Sequence, residues 1–224
     1  MVFAPGAGGE MNAQAASSLT NRRAATIAVA ATLFLSSISQ TVVSPALPRI
    51  VGELGGMRFY SWVLTGSMLA STVSIALTGK LTDRYGRKPF LIAGIVVFLA
   101  GSAATGAAHN LGQLIAFRAV QGFAGGIITA SAFAAIGDLY PPAERGSSMG
   151  VFTGVFGLAS IAGPLLGGFV TDHVGWRWLF YANMPLGVVV LVILWRGFPR
   201  AQRLSTRAPL DIAGMGALVC AILP

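Results

Sequence analysis

The stretch Gly79-Lys80-Leu81-Thr82-Asp83-Arg84-Tyr85-Gly86-Arg87-Lys88-Pro89 is the densest block of charge in the chain, and long apolar runs flank it on both sides. Four cations and one acid fall in a segment too short to be a domain. Its glycines permit tight turning. Pro89 suits the first turn of a following helix, where a missing N–H costs nothing. The stretch predicts a charged hairpin between two membrane-length helices.

Composition supports that setting. Of 224 residues, 54% are hydrophobic and only 10% charged. Mean hydropathy is +0.73. A soluble domain carries about 25% charged residues, so this chain lacks the charge to cover a water-facing surface. The class is all-α and polytopic, with the lipid bilayer as its surroundings. The net charge of +8 is then a matter of loop topology, not of a nucleic-acid patch. Cys220 is the only cysteine, so no intrachain disulfide forms; it reads as a packing residue.

A spanning helix needs about 20 mostly apolar residues. Six segments meet that requirement, near 24–47, 62–78, 90–108, 111–137, 149–170 and 179–195. Residues 1–21, poor in large apolar groups, read as a disordered tail. Residues 22–195 form the six-helix bundle, 196–209 a basic linker, and 210–224 the start of a seventh helix that stops short of spanning. One set of loops holds eleven cations, Arg22, Arg23, Lys80, Arg84, Arg87, Lys88, Arg145, Arg196, Arg200, Arg203 and Arg207; the opposite set holds Arg49, Arg58 and Arg177. That bias puts the N-terminus and the opening stretch in the cytoplasm. Tyr60, Trp62, Trp176 and Trp178 fall at helix ends, as interfacial aromatics do.

The opening stretch resembles the loop signature G-x-x-x-D-R-x-G-R-K of the major facilitator superfamily through Gly79, Asp83, Arg84, Gly86, Arg87 and Lys88. Its cations hold the loop inside whatever else they do. The resemblance further implies a gate: Asp83 faces the N-terminus of a helix in a second half of the transporter, where an acid is favourable, and Arg87 bridges to an acid ending the fourth helix, here Asp138. Four further segments, one of them in the first helix, extend the likeness over about residues 22–195. Leu114-x-x-x-Arg118-x-x-Gln121-Gly122 is similar to a fourth-helix signature whose arginine is tied to proton coupling. The order Gly154, Gly157, Gly163, Pro164, Gly167, Gly168 resembles the signature of exporting antiporters, and residues 176–187 resemble the fourteen-span drug/proton branch.

Physics sets a plainer reading beside each. Arg118 lies seven residues into its helix, about 10 Å deep at 1.5 Å per residue. A buried guanidinium is a functional hypothesis by default; the alternative is an arginine snorkelling to the surface among glycines that allow close packing. Arg118, Gly122, Gly125 and Thr129 share one helix face. The glycine-proline stripe is either ordinary small-residue packing or, by the resemblance, the interface about which two halves rock. Ser39-Gln40-Thr41-Val42-Val43-Ser44-Pro45 resembles the branch's first-helix signature, with Ser39 where that signature carries an acid. Serine can neither carry a proton nor draw in a cation. Gln40 and Ser39 are the candidates for touching a substrate, or for stitching helices together. His109 and His173 have no metal-ligand companions, and no phosphate loop, nucleophile elbow or metal cluster is present. The chain reads as neither an enzyme nor a metal protein.

The resemblance implies the N-terminal six-helix bundle of a transporter, built as two inverted three-helix repeats, in the plasma or inner membrane. The function implied is export of small amphipathic compounds with the proton gradient as energy source and no bound cofactor. A missing C-terminal half, or another half-transporter, is the implied partner. The alternatives are an uptake symporter for a small polar solute and a non-transporting truncated membrane protein.

Overall fold

In the computed structural model the described residues are 7–197, with side chains from 22 to 196. Residues 1–6 and 198–224, which hold most of the expected linker, the expected partial seventh helix and Cys220, lie outside them. Helix α1 (Ala7–Thr41) is followed by α2 (Val43–Leu54), a single tight turn at Met57–Phe59, α3 (Trp62–Tyr85), α4 (Arg87–Gly106), α5 (Leu111–Leu139), α6 (Pro142–His173), α7 (Arg177–Tyr181) and α8 (Asn183–Gly197). Among the described residues six stretches are long and apolar enough to cross a membrane: 22–41, 57–85, 87–106, 111–139, 142–173 and 177–196.

The expected boundaries shift for identifiable reasons. The backbone is helical from Ala7, inside the stretch read as a disordered tail; that stretch is rich in alanine, the best helix former. The first span ends at Thr41 rather than near Leu47. Pro45 has no N–H to give the Thr41 carbonyl four residues back, so the ladder breaks there. The same rule divides the sixth span: Pro185 leaves the Tyr181 carbonyl without its partner, and α7 ends at Tyr181. The charged stretch is not a hairpin loop. Lys80 to Tyr85 are the last turns of α3, and Arg87 opens α4. Only Gly86 turns the chain, at φ 88°, a conformation that costs a residue with a Cβ. At the other end Asn110 caps α5 by accepting from the Gln113 amide at 2.9 Å, while Gln113 Oε1 takes the His109 amide at 3.1 Å.

The spans pack as two related triplets. The second packs on the fourth and the fifth on the first; the third packs on the fourth and the sixth on the first. Exchanging the first three spans with the last three maps each pair onto another, as inverted repeats require. Small residues set the contacts. A Cβ on Gly126 would lie 1.9 Å from Ser74 Oγ, and one on Gly122 2.2 Å from the Ser67 carbonyl, so α3 lies backbone to backbone on α5. The apolar interior divides into a cluster around Leu33, Leu91, Phe98 and Ile128 and another around Leu47, Ile50, Leu114 and Phe180. Cover is uneven. In the most apolar window of α5, 56% is buried, against 22% for the second span and 17% for α6. The second and fifth spans therefore offer the outer faces of this bundle.

Candidate functional site: an ion cluster and a buried polar core

At the end where α3 meets α4, Arg87 gathers the neighbouring acids. Its Nη2 lies 3.0 Å from Asp83 Oδ1 and its Nε 2.9 Å from Asp138 Oδ2. The Asp138 contact is an ion pair without the alignment of a hydrogen bond. Nη1 donates to the Thr82 carbonyl at 3.2 Å, closing the last turn of α3. The Arg87 side chain is 12% exposed and Asp83 68% exposed. Arg87 thus ties α4 to α3 and α5, while Asp83 still presents most of its carboxylate outward. Lys88 Nζ donates to the Trp195 carbonyl at 3.0 Å, joining α4 to the end of α8. Arg145 caps α5 through the Gly137 and Tyr140 carbonyls at 2.8 and 3.1 Å. Arg22 pairs with Glu144 and lies over the Tyr140 ring at 4.6 Å. Arg84 lies against the Tyr85 ring. Around Gly79 there is open space on the side a Cβ would occupy.

The second site lies in the middle of the bundle. Arg118 is 1% exposed. Its Nη1 donates to Gln121 Oε1 at 2.9 Å and its Nη2 to Gln40 Oε1 at 3.1 Å; Nε has no hydrogen-bond partner. Gln121 Nε2 in turn donates to Ser39 Oγ at 3.1 Å. Asn183 Nδ2 reaches Ser39 Oγ at 3.2 Å and Ser102 Oγ at 3.0 Å, and Ser102 donates to the Phe180 carbonyl at 2.9 Å. One chain of contacts therefore links α5, α1, α8, α4 and α7. Arg118 is not a snorkelling arginine. On the face it shares with Gly122 and Gly125, neighbours fill the space: Gly122 lies against α3, and a Cβ on Gly125 would lie 3.1 Å from Ser36 Oγ of α1. Ser39 moves from a candidate substrate contact to an interior hub, 1% exposed, whereas Gln40 stays half-buried at the edge. Every partner of Arg118 here is neutral.

The glycines of α6 part into two rows. Gly163 and Gly167 press on the α1–α2 junction, where a Cβ would meet Thr41 Oγ1 at 1.9 Å and the Val42 carbonyl at 2.3 Å. Thr41 Oγ1 donates across to the Ala159 carbonyl at 3.0 Å. Gly150, Gly154, Gly157 and Gly168 meet only open space, and Pro164 is exposed beside them. The end of the bundle opposite the Arg87 cluster is closed by Glu53, which accepts from Trp176 Nε1 at 2.7 Å and from Arg177. Trp176 is therefore a core residue, 2% exposed, not an aromatic at the lipid interface; Trp62 and Trp178 remain exposed.

Comparison with known proteins fixes the family. The model of the Major Facilitator Superfamily matches residues 29–215. The chain belongs to the Major Facilitator Superfamily. It is 38% identical over 191 residues to the multidrug transporter protein MdtP of Bacillus subtilis and 40% identical over 191 residues to multidrug resistance protein 3 of the same organism. Each match takes 85% of this chain but only 35% and 37% of the relative. An MFS-type efflux pump of Fusarium, LUC4, is 38% identical over 75% of this chain and 30% of its own length. Among solved structures, the proton:xylose symporter XylE superposes with a TM-score of 0.70 at 14% identity, over 78% of this chain and 44% of that one. The human organic anion transporter MFSD10 gives 0.65 at 22% identity, over 80% and 48%. At these identities the two show the fold alone. As a Major Facilitator Superfamily chain this is a multi-pass membrane protein of a transporter family, not an enzyme.

Within that superfamily bundle the structure brings Asp83, Arg87 and Asp138 into one cluster, and Ser39, Gln40 and Arg118 into another. It leaves Gly79 and the row of Gly154, Gly157 and Gly168 without neighbours. Asn183, Ser102 and Gln121 belong to the polar core without having been singled out as site residues. Their signal was polar side chains within apolar spans.

Proposed function

We propose that this chain is one six-helix half of an exporter of small amphipathic compounds, working with a second half across an interface formed by the second and fifth spans. The observation that carries it is the 38% and 40% identity to multidrug proteins over 85% of the chain. The open faces of Gly79 and of the Gly154–Gly157 row support the second half, since small residues on bare helix faces suit close helix approach. The loop cations favour an N-terminus in the cytoplasm, so the Arg87 cluster would form the inner gate, with the outward part of Asp83 meeting a helix N-terminus of the other half. The proton gradient is the proposed energy source. Arg118 has a coupling role in this reading, but as a fixed cation: among the described residues no acid lies in the polar core, and the proton carrier is proposed to be in the second half.

The test is efflux of a lipophilic fluorescent dye from cells expressing the chain alone and the chain fused to the C-terminal half of the Bacillus subtilis multidrug relative. Efflux by the fusion that stops with a protonophore and is lost in Arg118→Ala is the expected result. A fusion that inserts and folds but never lowers cell-associated dye would sink the export reading.

A further inference from the structure

We infer that the Arg118–Gln40 pair is a binding site for the carboxylate of an organic anion. The inference rests on the export reading for its purpose and names the substrate class. Arg118 is the only ionisable side chain among the described residues that lies deep within a span; Asp83, Asp138, Glu144 and Asp172 all lie near span ends. A charge in such a place is costly unless paired. Arg118 has two amide oxygens for partners and no acid.

The shape of what is missing can be read from the donors. Nε and Nη2 form one edge of the guanidinium plane, the fork that carboxylates take with two parallel hydrogen bonds. Along that edge Nη2 is held by one neutral oxygen, Gln40 Oε1 at 3.1 Å, and Nε by nothing. The other edge is committed, because Nη1 holds Gln121, and Gln121 is anchored to Ser39. Gln40 is the half-buried member of the set, on α1, while Arg118, Gln121 and Ser39 are buried. A ligand carboxylate that displaces Gln40 therefore exchanges one neutral acceptor for two charged ones and supplies the absent counter-charge. A cationic compound meets the opposite field there, and among the described residues no carboxylate joins the Arg118 hydrogen-bond network to offset it. Arginine, planar and always charged, suits this task better than lysine.

The experiment compares 1-pyrenebutyrate with its methyl ester, which share an apolar body and differ in charge. Binding is read by pyrene anisotropy with the purified chain in nanodiscs of zwitterionic lipid, against empty nanodiscs. The acid should bind at least tenfold more tightly than the ester. Arg118→Gln should bring the two to equality. Gln40→Glu, which places a carboxylate of nearly the same shape on the fork, should do likewise while the protein stays folded by size exclusion and thermal unfolding. Arg118→Lys should keep a reduced preference. Equal binding of acid and ester by the unaltered chain, binding of neither, or a preference that survives Gln40→Glu overturns the inference. Efflux of a neutral dye by the fusion without any carboxylate preference rejects this inference and keeps the export reading. A carboxylate preference in a fusion that exports nothing does the reverse.

Discussion

Gly163 of α6 faces Thr41 of α1 so closely that a methyl group on the glycine would lie 1.9 Å from the threonine hydroxyl. The contact sits where Pro45 stops α1, and the hydroxyl itself donates to the Ala159 carbonyl at 3.0 Å. The side-chain, backbone and packing terms thus coincide at one position. Gly163→Ala should force the helices apart and destabilise the chain by about 1–3 kcal/mol, the usual cost of overpacking. Gly157→Ala, one row over in open space, should cost nothing and gain up to about 1 kcal/mol from reduced backbone freedom. Thermal unfolding of the two variants in the same detergent checks the pair. Equal losses would mean that α6 does not lie on α1 through Gly163.

Arg87 serves two acids of unequal exposure. Asp138 is 46% exposed and links different helices, whereas Asp83 is 68% exposed and only four residues away in sequence. Solvent screening keeps both pairs near the 0–1 kcal/mol range of exposed ion pairs. Asp138→Asn should cost the chain more stability than Asp83→Asn, with the second change close to neutral. If Asp83 also meets a second half, its loss should appear in transport instead. Dye efflux by the fusion should fall at least tenfold in Asp83→Asn while the unfolding midpoint of the chain hardly moves. A matched loss of stability and efflux would make Asp83 a structural residue only.

Glu53 ties the end of α2 to the start of the sixth span. Its carboxyl is held below the ordinary glutamate value, first by the hydrogen bond from Arg177 and then by that from Trp176. A carboxyl with a depressed folded pKa adds stability above its unfolded pKa and loses it as pH falls through the folded value. The contribution is therefore constant from pH 7 to near pH 5 and fades below about 4.5. Glu53→Gln should remove that acid-side loss. The fluorescence of Trp176 should respond over the same interval, because its indole N–H donates to the titrating carboxylate. A wild-type unfolding profile unchanged between pH 5 and pH 3 would show that the Glu53 contacts do not persist in solution.

Much of the architecture was legible because apolar length is a direct signal in a membrane chain. Each of the six spans overlaps a segment that length and composition place, with its ends shifted. The helix breaks were also written in the chain, at Pro45 and Pro185, but they act four residues upstream of the proline, at Thr41 and Tyr181. The charged stretch misled because charge density suggests a loop, while Lys80 to Tyr85 contain no residue that stops a helix. Which of two adjacent glycine rows meets a neighbour could not be read: Gly157 and Gly163 differ only in what lies opposite them. Trp176 looked interfacial from its position and is buried because Glu53, far away in sequence, meets its polar edge. The inward turn of Ser39 follows from Gln121 and Asn183 reaching it from two other helices, a three-way meeting that no single segment encodes.

Ser39 is the position where a small change should alter the chemistry of the bundle. Its hydroxyl accepts from Gln121 at 3.1 Å and from Asn183 at 3.2 Å. Ser39→Ala deletes that acceptor and leaves buried amide groups short of a partner, which costs about 1–3 kcal/mol. Asn183 keeps its bond to Ser102, so the penalty should fall mainly on Gln121 and, through it, on Arg118. Ser39→Asp restores two acceptor oxygens and adds a negative charge one side chain away from the guanidinium. If Arg118 is short of a counter-charge, the aspartate should recover most of the stability lost in the alanine variant. It should also introduce a dependence on pH that the unaltered core, with no acid in it, does not have. Thermal unfolding of the three proteins between pH 8 and pH 5 reads both effects. A Ser39→Asp protein less stable than Ser39→Ala at every pH would show that the core cannot place a carboxylate beside Arg118, and that the cation is already balanced by its amide neighbours.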